Sequence, residues 1–136
     1  ALIPHGGYVR IHDHAILMTN AIVVRSVHDT DPTEIGRFAL IGLGSIVGHD
    51  AKVGNKAVVS NQCVIARNSI LGNDAFMGTH SMLKENICVG DGAQVMAGSV
   101  VVCDVPAGAV VSGNFATEHQ ARMLEFTRSR RRNSIS

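Results

Sequence analysis

Residues 35–54 read IGRFALIGLGSIVGHDAKVG, and in this stretch an aliphatic residue recurs at every sixth position. The same register extends in both directions and fails only at Asp29. Its members are Ile11, Leu17, Val23, Ile35, Ile41, Val47, Val53, Val59, Ile65, Leu71, Met77, Leu83, Val89, Val95 and Val101. A helical period of 3.6 residues does not produce this spacing, whereas repeated short strands do. We therefore predict a solenoid.

The residues between the aliphatic positions are patterned too. Four positions after each aliphatic residue a small one is usual, as in Ala39, Ser45, Ala51, Ala57, Cys63, Ser69, Ala75, Ser81, Ala93 and Ser99. Glycine often follows the aliphatic residue directly, which permits corner dihedrals or a close backbone approach. Each hexad should form one strand and one corner, with the aliphatic and the small residue both pointing inward. Three hexads make a triangular coil, so residues 18 positions apart stack, and residues 11–106 form about five coils.

The repeat also sets the expected boundaries. Residues 1–116 are predicted to form the β-helix, with a loop or distorted edge at residues 29–34, where the inward aliphatic residue is missing. Residues 117–136 are predicted to form a C-terminal helix and a basic tail, the helix covering residues 118–131 and the last residues being disordered. Met123, Leu124 and Phe126 are expected to pack back on the prism as a cap.

Composition excludes several functional classes. The net charge of +1 gives no reason to expect nucleic acid or an anionic membrane as the main partner. No apolar run approaches the roughly 18 residues of a membrane span, and no signal-peptide pattern opens the chain. The three cysteines are an odd number without metal-ligand spacing. These features favour a cytoplasmic protein with free thiols.

Two stretches narrow the interpretation. Residues 47–55, VGHDAKVGN, contain a His-Asp-x-x-Val-Gly sequence, and residues 104–108 and 113–116 read DVPAG and GNFA. Together with the hexads they resemble the left-handed β-helix acyltransferase superfamily, in particular the bacterial sugar O- and N-acetyltransferases, of the sialic acid O-acetyltransferase type, and UDP-N-acetylglucosamine acyltransferase. The resemblance implies an all-β solenoid, a left-handed parallel β-helix of about five triangular coils with a short C-terminal helix.

The resemblance also implies a function. It implies transfer of an acetyl or other acyl group from acetyl-CoA, or from an acyl carrier protein, to a hydroxyl or amine of a sugar-like acceptor, by a homotrimer without a metal. The sequence departs from the family at Phe115, where proline is usual. Asn68, Lys84 and Glu85 stand where the UDP-sugar acyltransferase has further active-site histidines. The general base can therefore be carried over, but the acceptor-binding residues cannot.

His49 is the candidate general base, and Asp50 the candidate partner that orients and stabilises its imidazole ring. The repeat places His49 at an outward corner. Asp31 and Arg67 lie 18 positions on either side of it and are expected to stack on neighbouring coils. Glu85 is one coil further, and a peptide N–H near Arg67 or Asn68 could stabilise an oxyanion.

Other polar residues are secondary candidates. His80 lies on a different edge and could reach the His49 edge of a neighbouring subunit in a trimer. Lys84 and the arginine run beginning at Arg128 are candidates for binding the phosphates of CoA, with Lys52 as a competitor. The family resemblance adds Gly113 and Asn114 to the CoA-binding set.

Two other functions share this fold. A γ-class carbonic anhydrase needs a second histidine five positions after the first, where Gly54 stands in this chain. His12 and His14 form the one pair that could suggest a metal, but no third ligand is apparent and a surface pair is favoured. A non-catalytic trimeric scaffold is the third possibility.

Overall fold

The structure is a computed structural model that describes residues 6–133. Its seventeen strands are mostly two residues long and are followed by one helix. In chain order they are β1 (Val9–Ile11), β2 (Ile16–Leu17), β3 (Ile22–Val23), β4 (Thr33–Ile35), β5 (Leu40–Ile41), β6 (Ile46–Val47), β7 (Lys52–Val53), β8 (Val58–Val59), β9 (Val64–Ile65), β10 (Ile70–Leu71), β11 (Phe76–Met77), β12 (Met82–Leu83), β13 (Cys88–Val89), β14 (Gln94–Val95), β15 (Val100–Val101), β16 (Val110–Ser112), β17 (Thr117–Glu118) and α1 (His119–Asn133).

Every third strand pairs, so the chain forms three sheets around a prism. Sheet A contains β1, β4, β7, β10 and β13, and sheet C contains β3, β6, β9, β12 and β15. Sheet B contains β2, β5, β8, β11, β14, β16 and β17, of which only the last joins antiparallel. From β4 onward each strand pairs with one that starts about 18 residues later, as Ile41 does with Val59. The predicted parallel solenoid is therefore confirmed.

The first coil breaks this spacing. Ile11 pairs with Ile35, and Val23 pairs with Val47, so the offset here is 24 residues. One extra hexad leaves the prism as a loop, residues 24–32, between β3 and β4. The loop predicted at residues 29–34 is thus correct up to residue 32, but Thr33 and Glu34 belong to β4. Thr33 is fully buried and takes the place of the small inward residue.

The two inward columns form the core. From Ile35 to Val101 every aliphatic member is at most 2% exposed, and the small column is equally buried. Ile11, by contrast, is 50% exposed, because no coil of the described chain precedes it. The buried hydroxyls are satisfied by backbone carbonyls, as when Ser45 Oγ donates to the carbonyl of Ser60 at 2.6 Å.

The corners are built from residues that tolerate unusual backbone geometry or short distances. Asp50 and Asn68 adopt left-handed φ values of 61° and 57°. At Gly36 an added Cβ would lie 2.6 Å from the backbone nitrogen of Asn55 in the next coil, so only glycine fits there. Asn55 Oδ1 also accepts from the N–H of Arg37 at 2.9 Å, which ties one corner to the next.

The outward faces of the three sheets differ in polarity. Sheet B presents Ile16, Leu40, Val58, Phe76 and Gln94, and sheet C presents Ile22, Ile46, Val64, Met82 and Val100. Sheet A presents Arg10, Glu34, Lys52, Ile70 and Cys88. Two adjoining faces are thus almost entirely apolar, and the third is largely polar.

Helix α1 follows β17 directly. Glu118 caps it by accepting from the N–H groups of Gln120 and Ala121 at 2.9 and 2.7 Å. Met123, Leu124 and Phe126 are 42%, 57% and 56% exposed, so the expectation that they pack back on the prism is wrong. The helix is held at its first turns instead, where it leaves β17 and contacts β16.

Within residues 6–133 no helix has the length and apolar character that crossing a membrane requires. The predicted disordered tail falls largely on residues 134–136, which lie outside the described residues.

Candidate active site

His49 and Asp50 form a contact pair on the corner that joins sheet C to sheet A, which we call the His49 edge (residues 48–51, with 66–69 and 84–87 stacked on them). His49 Nδ1 lies 2.7 Å from Asp50 Oδ2, and the two side chains are 37% and 23% exposed. A carboxylate only accepts hydrogen bonds, so in the neutral ring Nδ1 carries the hydrogen. The lone pair is then on Nε2, which suits that atom to remove a proton from a bound molecule.

Asp50 is held from two further sides. Its backbone N–H donates to Thr33 Oγ1 at 2.9 Å, and its Oδ1 accepts from the N–H of Val27 at 3.2 Å. The first contact comes from β4 and the second from the loop of residues 24–32. The carboxylate that orients His49 is therefore positioned by the extra hexad of the first coil.

The pKa of Asp50 lies below its ordinary value. Partial burial acts to raise that pKa, but three lowering effects outweigh it. They are the hydrogen bond with His49, the hydrogen bond from Val27, and the positive charges of His49 and His28. Asp50 is therefore ionised at neutral pH and can stabilise a protonated imidazole ring at His49.

The structure brings Arg67, Asn68 and Glu85 to the His49 edge, as the spacing predicts. Val47 pairs with Ile65, and Val64 and Ile65 pair with β12, so Arg67 follows His49 by one coil and Glu85 by two. The N–H of Asn68 donates to the carbonyl of His49 at 3.0 Å and is not available to an oxyanion. The N–H of Arg67 has no acceptor among residues 6–133 and remains the candidate donor.

Asp31 does not stack on His49, and that prediction is wrong. Because the first coil is offset by 24 residues, Arg25 occupies the position one coil before His49. Asp31 Oδ1 instead lies 2.5 Å from Lys52 Nζ, which also contacts the carbonyl of Pro32. The Lys52 ammonium is 3.9 Å from Glu34 as well, so this lysine is engaged within sheet A.

His80 is placed on the corner between sheets B and C, which we call the His80 edge. Its N–H donates to the carbonyl of Asn61 at 3.1 Å, and the residue is exposed. Sheet C separates it from His49 within one chain. Among residues 6–133 its side chain has no hydrogen bond or ion pair, unlike that of His49.

The four candidate CoA-binding residues are not gathered at one place. Lys84 is exposed on the His49 edge, two coils after Gly48. The carbonyl of Gly113 accepts from the N–H of Val100 at 3.0 Å, and Asn114 follows it at the end of the prism. Arg128 is exposed on α1.

The two histidines near the start of the chain diverge. His12 Nε2 is 2.5 Å from Glu34 Oε1, whereas the ring of His14 stacks on Phe38 with centroids 4.7 Å apart. They do not form a shared pair. Within residues 6–133 no group of three histidine, cysteine or acidic side chains has metal-binding geometry.

Sequence reasoning missed Arg25, His28 and Thr33. All three belong to the region where the repeat fails at Asp29. That failure was the available signal, since a missing inward residue shows that residues before it need not stack 18 positions from those after it.

Comparison with known proteins gives similarity at the level of structure. No protein-family model matches the chain, and no curated protein shows significant sequence similarity to it. Arabidopsis UDP-N-acetylglucosamine acyltransferase superposes with a TM-score of 0.81 at 25% identity, covering 98% of this chain and 46% of that one. Perosamine N-acetyltransferase from Caulobacter crescentus, solved as an H141N variant with CoA and GDP-perosamine, gives 0.63 at 24% identity, covering 82% and 57%.

A galactoside acetyltransferase solved with coenzyme A gives a TM-score of 0.70 at 15% identity and covers 82% of this chain and 64% of that one. The chain therefore spans about half to two thirds of the length of these three proteins. What they share with it is the triangular prism of hexad coils described above. This protein has the left-handed β-helix fold of the hexapeptide-repeat acyltransferases.

Proposed function

We propose that this protein is an acyltransferase that moves an acetyl group from acetyl-CoA to a hydroxyl or amine of a sugar-like acceptor. The observation that carries the proposal is the His49–Asp50 pair, 2.7 Å apart, on an outward edge of the prism. Two of the structurally similar proteins were solved with CoA, and one of these also with a nucleotide sugar.

The pair supplies the proton transfers that acyl transfer needs. His49 Nε2 removes the proton of the acceptor hydroxyl or amine as that atom attacks the thioester carbonyl. The charge of Asp50 stabilises the resulting imidazolium ring. The N–H of Arg67 is the proposed donor to the tetrahedral oxyanion. Collapse of the intermediate breaks the C–S bond, and the imidazolium returns its proton to the CoA thiolate.

We assign the donor side of the site to residues that His49 does not contact. Lys84 lies on the same edge two coils further along, and its ammonium is proposed to bind a phosphate of CoA. Gly113, Asn114 and Arg128 are proposed to bind another part of the carrier near the C-terminal end of the prism.

We further propose that three chains assemble side by side. The apolar outward faces of sheets B and C meet at the His80 edge and expose side chains such as Ile22, Ile46 and Phe76 to solvent in a single chain. Burying both faces against neighbours is favourable, and it brings the His80 edge of one subunit towards the His49 edge of the next. Light scattering should report three times the chain mass, and a monomer at micromolar concentration would contradict the assembly.

Product analysis tests the proposed reaction. The protein is incubated with acetyl-CoA and a panel of nucleotide sugars and free amino sugars, and acetylated products are identified by mass spectrometry. A parallel series with acetylated carrier protein distinguishes the two donors. Acetylated product that disappears with His49→Ala supports the proposal. Acetyl-CoA that neither binds nor reacts would leave the scaffold interpretation.

A further inference from the structure

We propose that the acceptor is an anion whose phosphate or carboxylate group binds between Arg25 and Arg67, beside His49. This inference rests on the proposed function, since it takes His49 as the base that meets the acceptor. It adds a charge to the acceptor and assigns two binding residues to it.

The first support is that these two arginines are not used by the fold. Arg37 pairs with Asp13 at 3.6 Å, and Arg122 pairs with Glu125 at 3.2 Å. Arg25 and Arg67 are exposed, and neither side chain has a hydrogen bond or ion pair within the described residues 6–133. Their guanidinium groups are therefore available to a ligand.

The second support is their position. The pairing of Val23 with Val47 and of Val47 with Ile65 places Arg25 one coil before His49 and Arg67 one coil after it. Neighbouring strands lie about 5 Å apart, so the two arginine backbones are about 10 Å apart with His49 between them. An anionic group held by both forks would stand directly beside the imidazole ring.

The loop of residues 24–32 adds positive charge at the same place. Ser26 is buried and its hydroxyl donates to the carbonyl of His28 at 2.8 Å, which fixes the loop next to the prism. His28 lies close enough to Asp50 to act on it electrostatically. A protonated His28 would therefore reinforce the attraction of Arg25 for an anion.

The carboxylates of this region do not neutralise the two arginines. Asp50 is bound by His49 and Val27, and Asp31 is bound by Lys52. Glu85 stands one coil beyond Arg67 and marks where the positive stretch of the edge ends. The chain as a whole has a net charge of only +1, so the concentration of cations here is local.

Phosphates could also come from CoA, and the experiment separates the two sources. Inorganic pyrophosphate is titrated into the protein while the imidazole signals of His49 are followed by NMR, and acetyl-CoA affinity is measured separately by calorimetry. Both are done with wild type, Arg25→Gln, Arg67→Gln, and Arg37→Gln as a matched control on another edge. Lys84→Gln serves as the control for the donor side.

Pyrophosphate should shift the His49 signals saturably, and Arg25→Gln and Arg67→Gln should each weaken its binding by about tenfold to a hundredfold. Arg37→Gln should bind it like wild type. Acetyl-CoA affinity should be unchanged in the two edge variants and reduced in Lys84→Gln. Because both edge arginines are exposed, melting temperatures should stay near wild type, and lysine at either position should restore part of the binding.

The inference is overturned if wild type shows no saturable shift, or if the two edge variants bind pyrophosphate as the Arg37 variant does. It is also overturned if acetyl-CoA affinity falls in step with pyrophosphate affinity, since the phosphate would then belong to the donor. Transfer of acetyl groups without an anion site refutes this inference alone. An anion site dependent on both arginines, without transfer to any acceptor, refutes the proposed function and retains the site.

Discussion

The His49 edge and the His80 edge each present one histidine on the same repeating framework, yet only one of them has the contacts of a base. His80 has a left-handed φ of 61° and occupies the corner position that Asp50, also at 61°, occupies on the other edge. His49 precedes that position, so the corner residue after it can turn a carboxylate onto its ring. A histidine one position later has no such neighbour.

The two edges also differ in what surrounds them. At the His49 edge the extra hexad of the first coil brings the N–H of Val27 and the hydroxyl of Thr33 to Asp50. At the His80 edge the coils follow each other at the regular spacing, and His80 contacts only the carbonyl of Asn61. A break in the repeat thus gives one edge a hydrogen-bonded site.

Replacing His49 by alanine should have the largest effect. Turnover should fall by about 10²–10⁴-fold, because the acceptor loses its base. The side chain is 37% exposed, so the free energy of unfolding should change by no more than about 0.5 kcal/mol. Steady-state kinetics and thermal melts measure both, and calorimetry should show unchanged affinity for CoA. A folded His49→Ala protein that turns over at the wild-type rate would make the two edges equivalent.

Replacing Asp50 by asparagine should have the next largest effect. The change keeps the size of the side chain but removes the charge that stabilises the imidazolium ring. A hydrogen bond to a charged group is worth about 1.5–3 kcal/mol, which corresponds to a loss of about tenfold to a hundredfold in kcat. KM for acetyl-CoA should hardly move. Kinetics that match wild type would show that His49 acts without its neighbour.

The acid stability of the same variant gives a smaller and independent effect. The pKa of Asp50 is lower in the folded than in the unfolded chain, so its stabilising contribution is complete above about pH 4 and is lost as the pH falls through the folded-state pKa. Wild type should lose more melting temperature below pH 4 than Asp50→Asn does. Parallel acid limbs for the two proteins would contradict the assigned hydrogen bonds.

Replacing His80 by alanine should have the smallest effect. The residue is exposed, so stability should change by about 0.5 kcal/mol or less. In the proposed trimer it stands near a neighbour's site rather than on the reacting atoms, and kcat should fall less than tenfold, well short of the loss from a missing base. A loss equal to that of His49→Ala would mean that the catalytic pair is formed across the subunit boundary.

Much of the fold could be predicted because the repeat is a local signal. The spacing of six identified the inward residues from Ile35 to Val101 and the small column beside them, and the structure buries both. The adjacency of His49 and Asp50 is also local, and their contact follows from the corner that joins them. The helix near the C-terminus was predicted, but not its exposed apolar side chains. Nothing in its sequence states what surface lies opposite.

The sequence by itself determined the prism, its inward columns and the edge on which His49 stands, because each depends on a period shorter than one coil. Only the tertiary structure decided which residues neighbour His49 in space. An extra hexad can leave the prism at more than one corner, and its exit between β3 and β4 replaces Asp31 by Arg25 on the His49 edge. Stacking depends on how many residues each coil contains, and strand pairing across the whole prism sets that number.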